Sequence, residues 1–215
     1  NYAGFKEKMF ATKDGRVSVI RLDGSEFHDV FRDTHWLSHF QFSPDNPDIA
    51  MFCHEGPWNY VQQRIWMINM NTGDIWPCFR QTEDDCVGHE FWAQNGDVIF
   101  DNRRGGHDGT ISNSKSQVYA SEHVSAEIPY FGFAHKDGKV YRKINMPFYC
   151  NHYFANGDLS MFAGDAVDDI LLIQPAEDGT AKMKILAHHN TTWHYQRSHC
   201  HPTFSWDGKK LLYAV

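Results

Sequence analysis

At 215 residues, with 41% apolar and 22% charged side chains, the chain has the make-up of a globular domain with an ordinary core. A net charge of −7 argues against a nucleic-acid binder, which needs a basic stripe, and no apolar run approaches the ~18 residues of a membrane-spanning helix. Neither nucleic acid nor a membrane is therefore expected as a partner.

Histidine is the compositional outlier, 14 residues against 20 Lys plus Arg, and the excess asks for a chemical use. Five cysteines (Cys53, Cys78, Cys86, Cys150, Cys200) are scattered and odd in number, with no C-x-x-C spacing. That fits a reducing compartment, the cytoplasm, better than a disulfide framework.

In chain order, the first elements are a hairpin, Gly15 to Leu22 and Phe27 to Phe31, joined at Asp23-Gly24. Next comes Ser38-His39-Phe40-Gln41-Phe42-Ser43-Pro44-Asp45, the first copy of a pattern: a histidine, an apolar-aromatic strand, then an Asp/Asn/Gly turn. Arg64 to Met70, turn Asn71 to Asp74 and Ile75 onward form a second hairpin. The pattern returns at Gly88-His89, at Asn151-His152 and at Cys200-His201, so the histidines stand 50, 63 and 49 residues apart. The longest interval contains 103–135, which reads as an insertion. A third hairpin joins Ile170–Ile173 to Lys182–Leu186 across Glu177-Asp178-Gly179. Asp-Gly and Asn-x-Gly turns between alternating apolar runs are hairpin signals, and no segment sustains a helical apolar period.

Four-stranded units recurring every ~40–50 residues predict an all-β chain of β-propeller type, with about four blades' worth of strand. A single propeller domain is expected over 1–215: the tail of one blade at 1–33, blades starting near 36, 87 and 150, and the start of a further blade at 197–215. A half propeller leaves two raw sheet edges, so the chain reads as part of a larger one. A sandwich is the structural alternative, but it gives no reason for a histidine to recur at equivalent positions. In a propeller the innermost strands line the central channel, which makes such residues a ring.

Within that ring, His199 and His201 are two residues apart, an i, i+2 spacing that puts both imidazoles on one face of a strand. Gln196 can reach the same point, and together they form a plausible half-site for a divalent metal. His39 holds the ring position of its own blade and is a weaker candidate for substrate contact.

Several motifs together resemble the oligogalacturonate lyase family: Phe52-Cys53-His54-Glu55-Gly56-Pro57, Val61 to Trp66, Gly88 to Trp92, the Asn151-His152 strand, His189 to Trp193, and Gln196-x-x-His199-x-His201-Pro202. They follow in the family's order from about Trp36 to the end. The resemblance implies a seven-bladed propeller that cleaves short pectate oligomers, the oligogalacturonates, by β-elimination with a bound divalent metal, typically manganese. It implies His152, Gln196, His199 and His201 as metal ligands, His89 as the base and Arg64 as the residue holding substrate beside it. Arg64 is also expected to depress the pKa of His89. His189 and Trp193 are expected to shape the loop beside the metal or to stack on sugar. The family's His-Pro-His is His199-Cys200-His201 here.

Two other classes stay open on the residues alone. A non-catalytic propeller that binds a sugar or a protein uses the same repeat, and a metal-dependent hydrolase uses the ion to activate water. A glycosidase needs two facing carboxylates, and no such pair stands out.

Overall fold

The computed structural model describes residues 4–57, 60–103, 129–146, 150–193 and 199–215. A seven-residue helix, α1 (Phe5–Ala11), comes first; it is too short to show a helical period in sequence. The hairpin β1 (Gly15–Ile20) and β2 (Phe27–Asp33) follows.

Three four-stranded antiparallel sheets come next, each a simple meander. The first is β3 (Leu37–Phe42), β4 (Ile49–His54), β5 (Ile65–Asn69) and β6 (Ile75–Pro77). The second is β7 (Val87–Trp92), β8 (Val98–Asn102), β9 (Tyr130–Ala134) and β10 (Val140–Asn145). The third is β11 (Tyr153–Ala155), β12 (Phe162–Asp165), β13 (Asp169–Pro175) and β14 (Ala181–His188). A last hairpin pairs β15 (Thr203–Phe204) with β16 (Leu211–Leu212). Strand β9 lies inside the stretch read from sequence as an insertion; residues 104–128 of that stretch are outside the described residues. Among the described residues, no helix is long and apolar enough to cross a membrane.

The sheets are blades of a β-propeller, and the burial pattern shows why. Central strands are buried on both faces, as every residue of β8 and β9 is. Alternate side chains then serve different neighbours. Val98 and Phe100 of β8 pack with Met51, Ile65 and Met67 of the first blade. Ile99, between them, packs with Phe131, Phe133 and the third blade's Tyr153, Phe162 and Leu171. A third cluster joins Val17 of the hairpin to Ala50, Phe52 and Ile68. Gly132 is required by this packing, since a Cβ there would lie 2.2 Å from Phe100 Cζ.

Phe162 is fully buried against Phe131 (ring centroids 5.1 Å, stacked) and Phe133 (5.9 Å, edge-on). It holds the second and third blades together. Phe162→Ala is expected to cost about 3–5 kcal/mol, the usual range for a buried Phe cavity, measured as a shifted midpoint in urea unfolding.

Candidate functional site

Face-to-face packing of the blades leaves the ends of the inner strands as the place where polar side chains can gather. Local backbone then aims the histidines. In β3 the pairing with β4 shifts register between Ser38 and Gln41, and in β7 the pairing with β8 shifts between Gly88 and Phe91. His39 (φ 54°) and His89 (φ 49°) sit inside these bulges in the left-handed region, and His201 (φ 45°) adopts it too. Such a conformation is uncommon for a non-glycine residue. His199 and His201 do not share a strand face, contrary to the expectation from their spacing. Both precede β15, which begins only at Thr203, and a left-handed residue breaks the alternation.

The two are nevertheless brought together, and His152 joins them. Ligand nitrogens of His152, His199 and His201 all lie within 4.8 Å of one another. His152 is the centre of the group, its ring centroid 3.7 Å from His201 and 5.2 Å from His199. Burial, reinforced by the other two imidazoles, pushes His199 down to about 4, and burial followed by His152 also lowers His201. Neutral imidazoles at this spacing are the donor set that a first-row divalent ion prefers. Gln196 lies outside the described residues.

Beneath the group, Asp165 is fully buried. It accepts His152 Nδ1–H at 2.9 Å, the His152 backbone N–H at 2.5 Å and the His201 backbone N–H at 3.2 Å.

A cavity of about 250 Å³ adjoins this cluster and is lined by His39, Arg64, His89, Arg103, His152 and His201, among others. His89 stands edge-on to His152, ring centroids 5.1 Å apart. Its Nδ1 meets Asp101 Oδ2 at 3.3 Å and Arg103 Nη2 at 2.9 Å. Burial pushes His89 down to about 4; Asp101 opposes the shift, while Arg103 and His152 add to it. The cation acting on His89 is thus Arg103, where the sequence led us to expect Arg64. Against the upward push of its own burial, Asp101 is held down at about 2 by Arg103 and His89.

Arg64 is committed elsewhere. It donates from Nε to Glu90 at 2.9 Å and from Nη1 to Glu55 at 3.0 Å, and its backbone N–H donates to Gln81. His39 Nδ1 donates to the same Glu90 at 2.6 Å, and that hydrogen bond raises the imidazole's pKa. Glu90 is fully buried, yet Arg64 and His39 keep its carboxyl well below the usual carboxylate range. His189 and Trp193 spend their ring N–H groups on the carbonyls of Ala166 (2.9 Å) and Val167 (2.8 Å). Neither is among the cavity's lining residues, although Trp193 packs 5.2 Å from His199.

Asp101, Arg103 and Asp165 escaped the sequence reading. One signal could have found the two carboxylates: they stand 12 and 13 residues after His89 and His152, each on the second strand of its blade.

A family model described as oligogalacturonate lyase matches residues 1–215. The chain belongs to the oligogalacturonate lyase family. An oligogalacturonide lyase of Pectobacterium atrosepticum is 24% identical over 98% of this chain and 54% of its own length. An oligogalacturonate lyase of Dickeya dadantii is 25% identical over the same shares. The chain therefore spans about half the length of the curated relatives it matches. A solved oligogalacturonate lyase in complex with manganese superposes with a TM-score of 0.79 at 22% identity, covering 99% of this chain and 54% of that one. That likeness shows the propeller fold.

One histidine pair of this lyase-family chain stands apart from the cavity. His35 and His54 stack at 4.1 Å, and His54 is buried with Nε2 3.3 Å from Asp33 Oδ2. Burial, then His35, pushes His54 down to about 4. A histidine whose folded pKa lies below its unfolded value of about 6.5 stays neutral at no cost above that pH and destabilises the fold as pH falls toward 4. Urea unfolding at pH 7 and pH 4.5 checks this: His54→Gln is expected to shrink the acid loss of stability by about 1–2 kcal/mol.

Proposed function

We propose that this protein is an oligogalacturonate lyase that cleaves short pectate fragments by β-elimination, with His89 as the base beside a metal held by His152, Gln196, His199 and His201. The observation that carries the reading is the convergence of three imidazoles within 4.8 Å, with a fourth 5.1 Å from their central member, beside one cavity that His89, His152 and His201 line. The whole-length activity and substrate are inferred from the family and from this chemistry.

A galacturonate C5–H is barely acidic while its neighbouring carboxylate keeps full charge. A bound divalent cation, manganese on the precedent of the related structure, supplies the positive charge that offsets that carboxylate and the enediolate character developing on proton loss. Three neutral imidazoles and an amide would leave such an ion its charge, as a carboxylate-rich site would not.

His89 then has to take the C5 proton. Its low pKa keeps it unprotonated near neutral pH. Nδ1 faces an acceptor, Asp101, and an obligate donor, Arg103; the reading requires the tautomer that donates Nδ1–H to Asp101, which leaves Nε2 for substrate and makes Arg103 a neighbouring charge and not a hydrogen-bond donor to the ring. Arg103 and His152 oppose protonation, so the proton is passed on rather than stored. Arg64 and His39 line the same cavity and are proposed to meet the substrate's acidic groups, Arg64 with part of its charge already shared with Glu55 and Glu90. His189 and Trp193 are proposed to support substrate through the loop they brace. The five buried free cysteines support a cytoplasmic setting.

Incubating the protein with oligogalacturonate, with and without a chelator, tests the reading through the ultraviolet absorbance of a 4,5-unsaturated uronate. Chelator-sensitive absorbance is expected. Saturated reducing ends would mean hydrolysis instead, and binding without turnover would mean a recognition module. His89→Ala should lower turnover about 10²–10⁴-fold while metal binding persists, and His152→Ala should abolish both.

A further inference from the structure

The ring histidines of the three blades share one placement but differ in what stands behind Nδ1. In the second blade it is Asp101, and Arg103 Nε donates to that carboxylate at 2.8 Å, so its charge is largely cancelled. In the first blade the equivalent strand position is Cys53, cross-strand from Ser38, and His39 turns instead to Glu90, which Arg64 also holds. In the third blade Asp165 stands alone. Among the described residues no Arg or Lys pairs with it, and every hydrogen bond its carboxylate accepts comes from the two histidine residues themselves: His152 Nδ1–H and the backbone N–H groups of His152 and His201.

We propose that Asp165 is the positioning residue of the metal centre, and that its uncancelled charge is why the cation is held at the third blade's imidazole and not at those of His39 or His89. The proposal rests on the metal reading above. Accepting Nδ1–H fixes the tautomer of His152 with Nε2 as the ligating nitrogen, and a carboxylate behind an imidazole makes that nitrogen a stronger donor. The third contact reaches across 36 residues of sequence to the main chain of His201, just where that residue takes its left-handed φ of 45°. One buried side chain thereby sets the separation of two ligands that come from different sheets. Three N–H donors and, among the described residues, no cation meet this fully buried carboxylate directly behind the site.

Asp165→Asn tests this because it keeps the size while losing the charge; its single acceptor oxygen can keep the His152 backbone N–H, bound at Oδ1, and gives up the two contacts at Oδ2. Titration of the metal-free protein with Mn²⁺, followed by loss of the free-ion electron paramagnetic resonance signal, is expected to show affinity reduced about 10–100-fold. If the wild type binds, His152→Ala does not, and Asp165→Asn binds as the wild type does, the role given to Asp165 is overturned while the metal centre stands. If the wild type fails to bind Mn²⁺, the metal reading falls and this inference with it. Should Asp165→Asn not fold, Asp165→Glu keeps the charge but displaces it by a methylene. Weakened binding is expected there too, and wild-type affinity in that variant would overturn the proposal.

Discussion

Burial of both faces of the central strands, complete in β8 and β9, is the constraint from which the rest follows. A strand such as β8 sends Phe100 to the first blade and Ile99 to the third, so neither face is available for polar chemistry. The backbone groups are paired along the sheet, and the side faces are filled with Phe, Ile and Met. Polar side chains gather at the inner strand ends, where they converge toward one cavity. The aromatic layers make that convergence rigid: Phe131, Tyr153 and Phe162 lock the second and third blades directly beneath the ends that carry His89 and His152.

Charges placed there are buried, and each is answered locally. Glu90 is the clearest case. A lone carboxylate without solvent would be costly, and Arg64 and His39, both from the preceding blade, supply the compensation. This ion cluster is therefore also a tie between blades, and it accounts for Arg64 facing Glu90 rather than His89. His89 and Glu90 are neighbours on one strand and diverge from it, so a guanidinium that reaches one is drawn away from the other. Arg103 fills the place that Arg64 was expected to hold, and does so while also donating to the carbonyl of Asn151, the residue before His152. His89 and the strand end that carries His152 are in this way fastened to a single guanidinium.

The parts of this architecture that are local in sequence are legible in the amino-acid pattern itself. Asp-Gly and Asn-x-Gly turns, period-2 strands and a histidine recurring at about 50-residue spacing each signal their own structure, and their repetition points to blades. Helix α1 was not legible, because seven residues cannot establish a helical period. The carboxylates behind the imidazoles were missed for a different reason. An Asp at the end of a strand reads the same whether it faces water or a buried ring, and only its similar offset from the ring histidine, 12 and 13 residues, distinguishes Asp101 and Asp165 from surface acids. Geometry across blades, such as His152 meeting His201, depends on how sheets stack and leaves no mark in local pattern.

The left-handed backbone at His39, His89 and His201 bears on why the site is where it is. A bulky residue there costs on the order of 1 kcal/mol or more relative to ordinary strand geometry, and glycine would remove that cost. All three positions nonetheless carry an imidazole, and all three line the cavity. In ordinary strand geometry, alternation would direct each side chain along the sheet normal, into the space filled by neighbouring blades. The bulges in β3 and β7 rotate the chain out of that alternation at the one residue whose side chain has to enter the cavity. His152, just before β11, is not left-handed, and Asp165 holds its ring. Two local devices, a bulge and a buried carboxylate, thus solve the same problem of freeing an imidazole from a packed sheet.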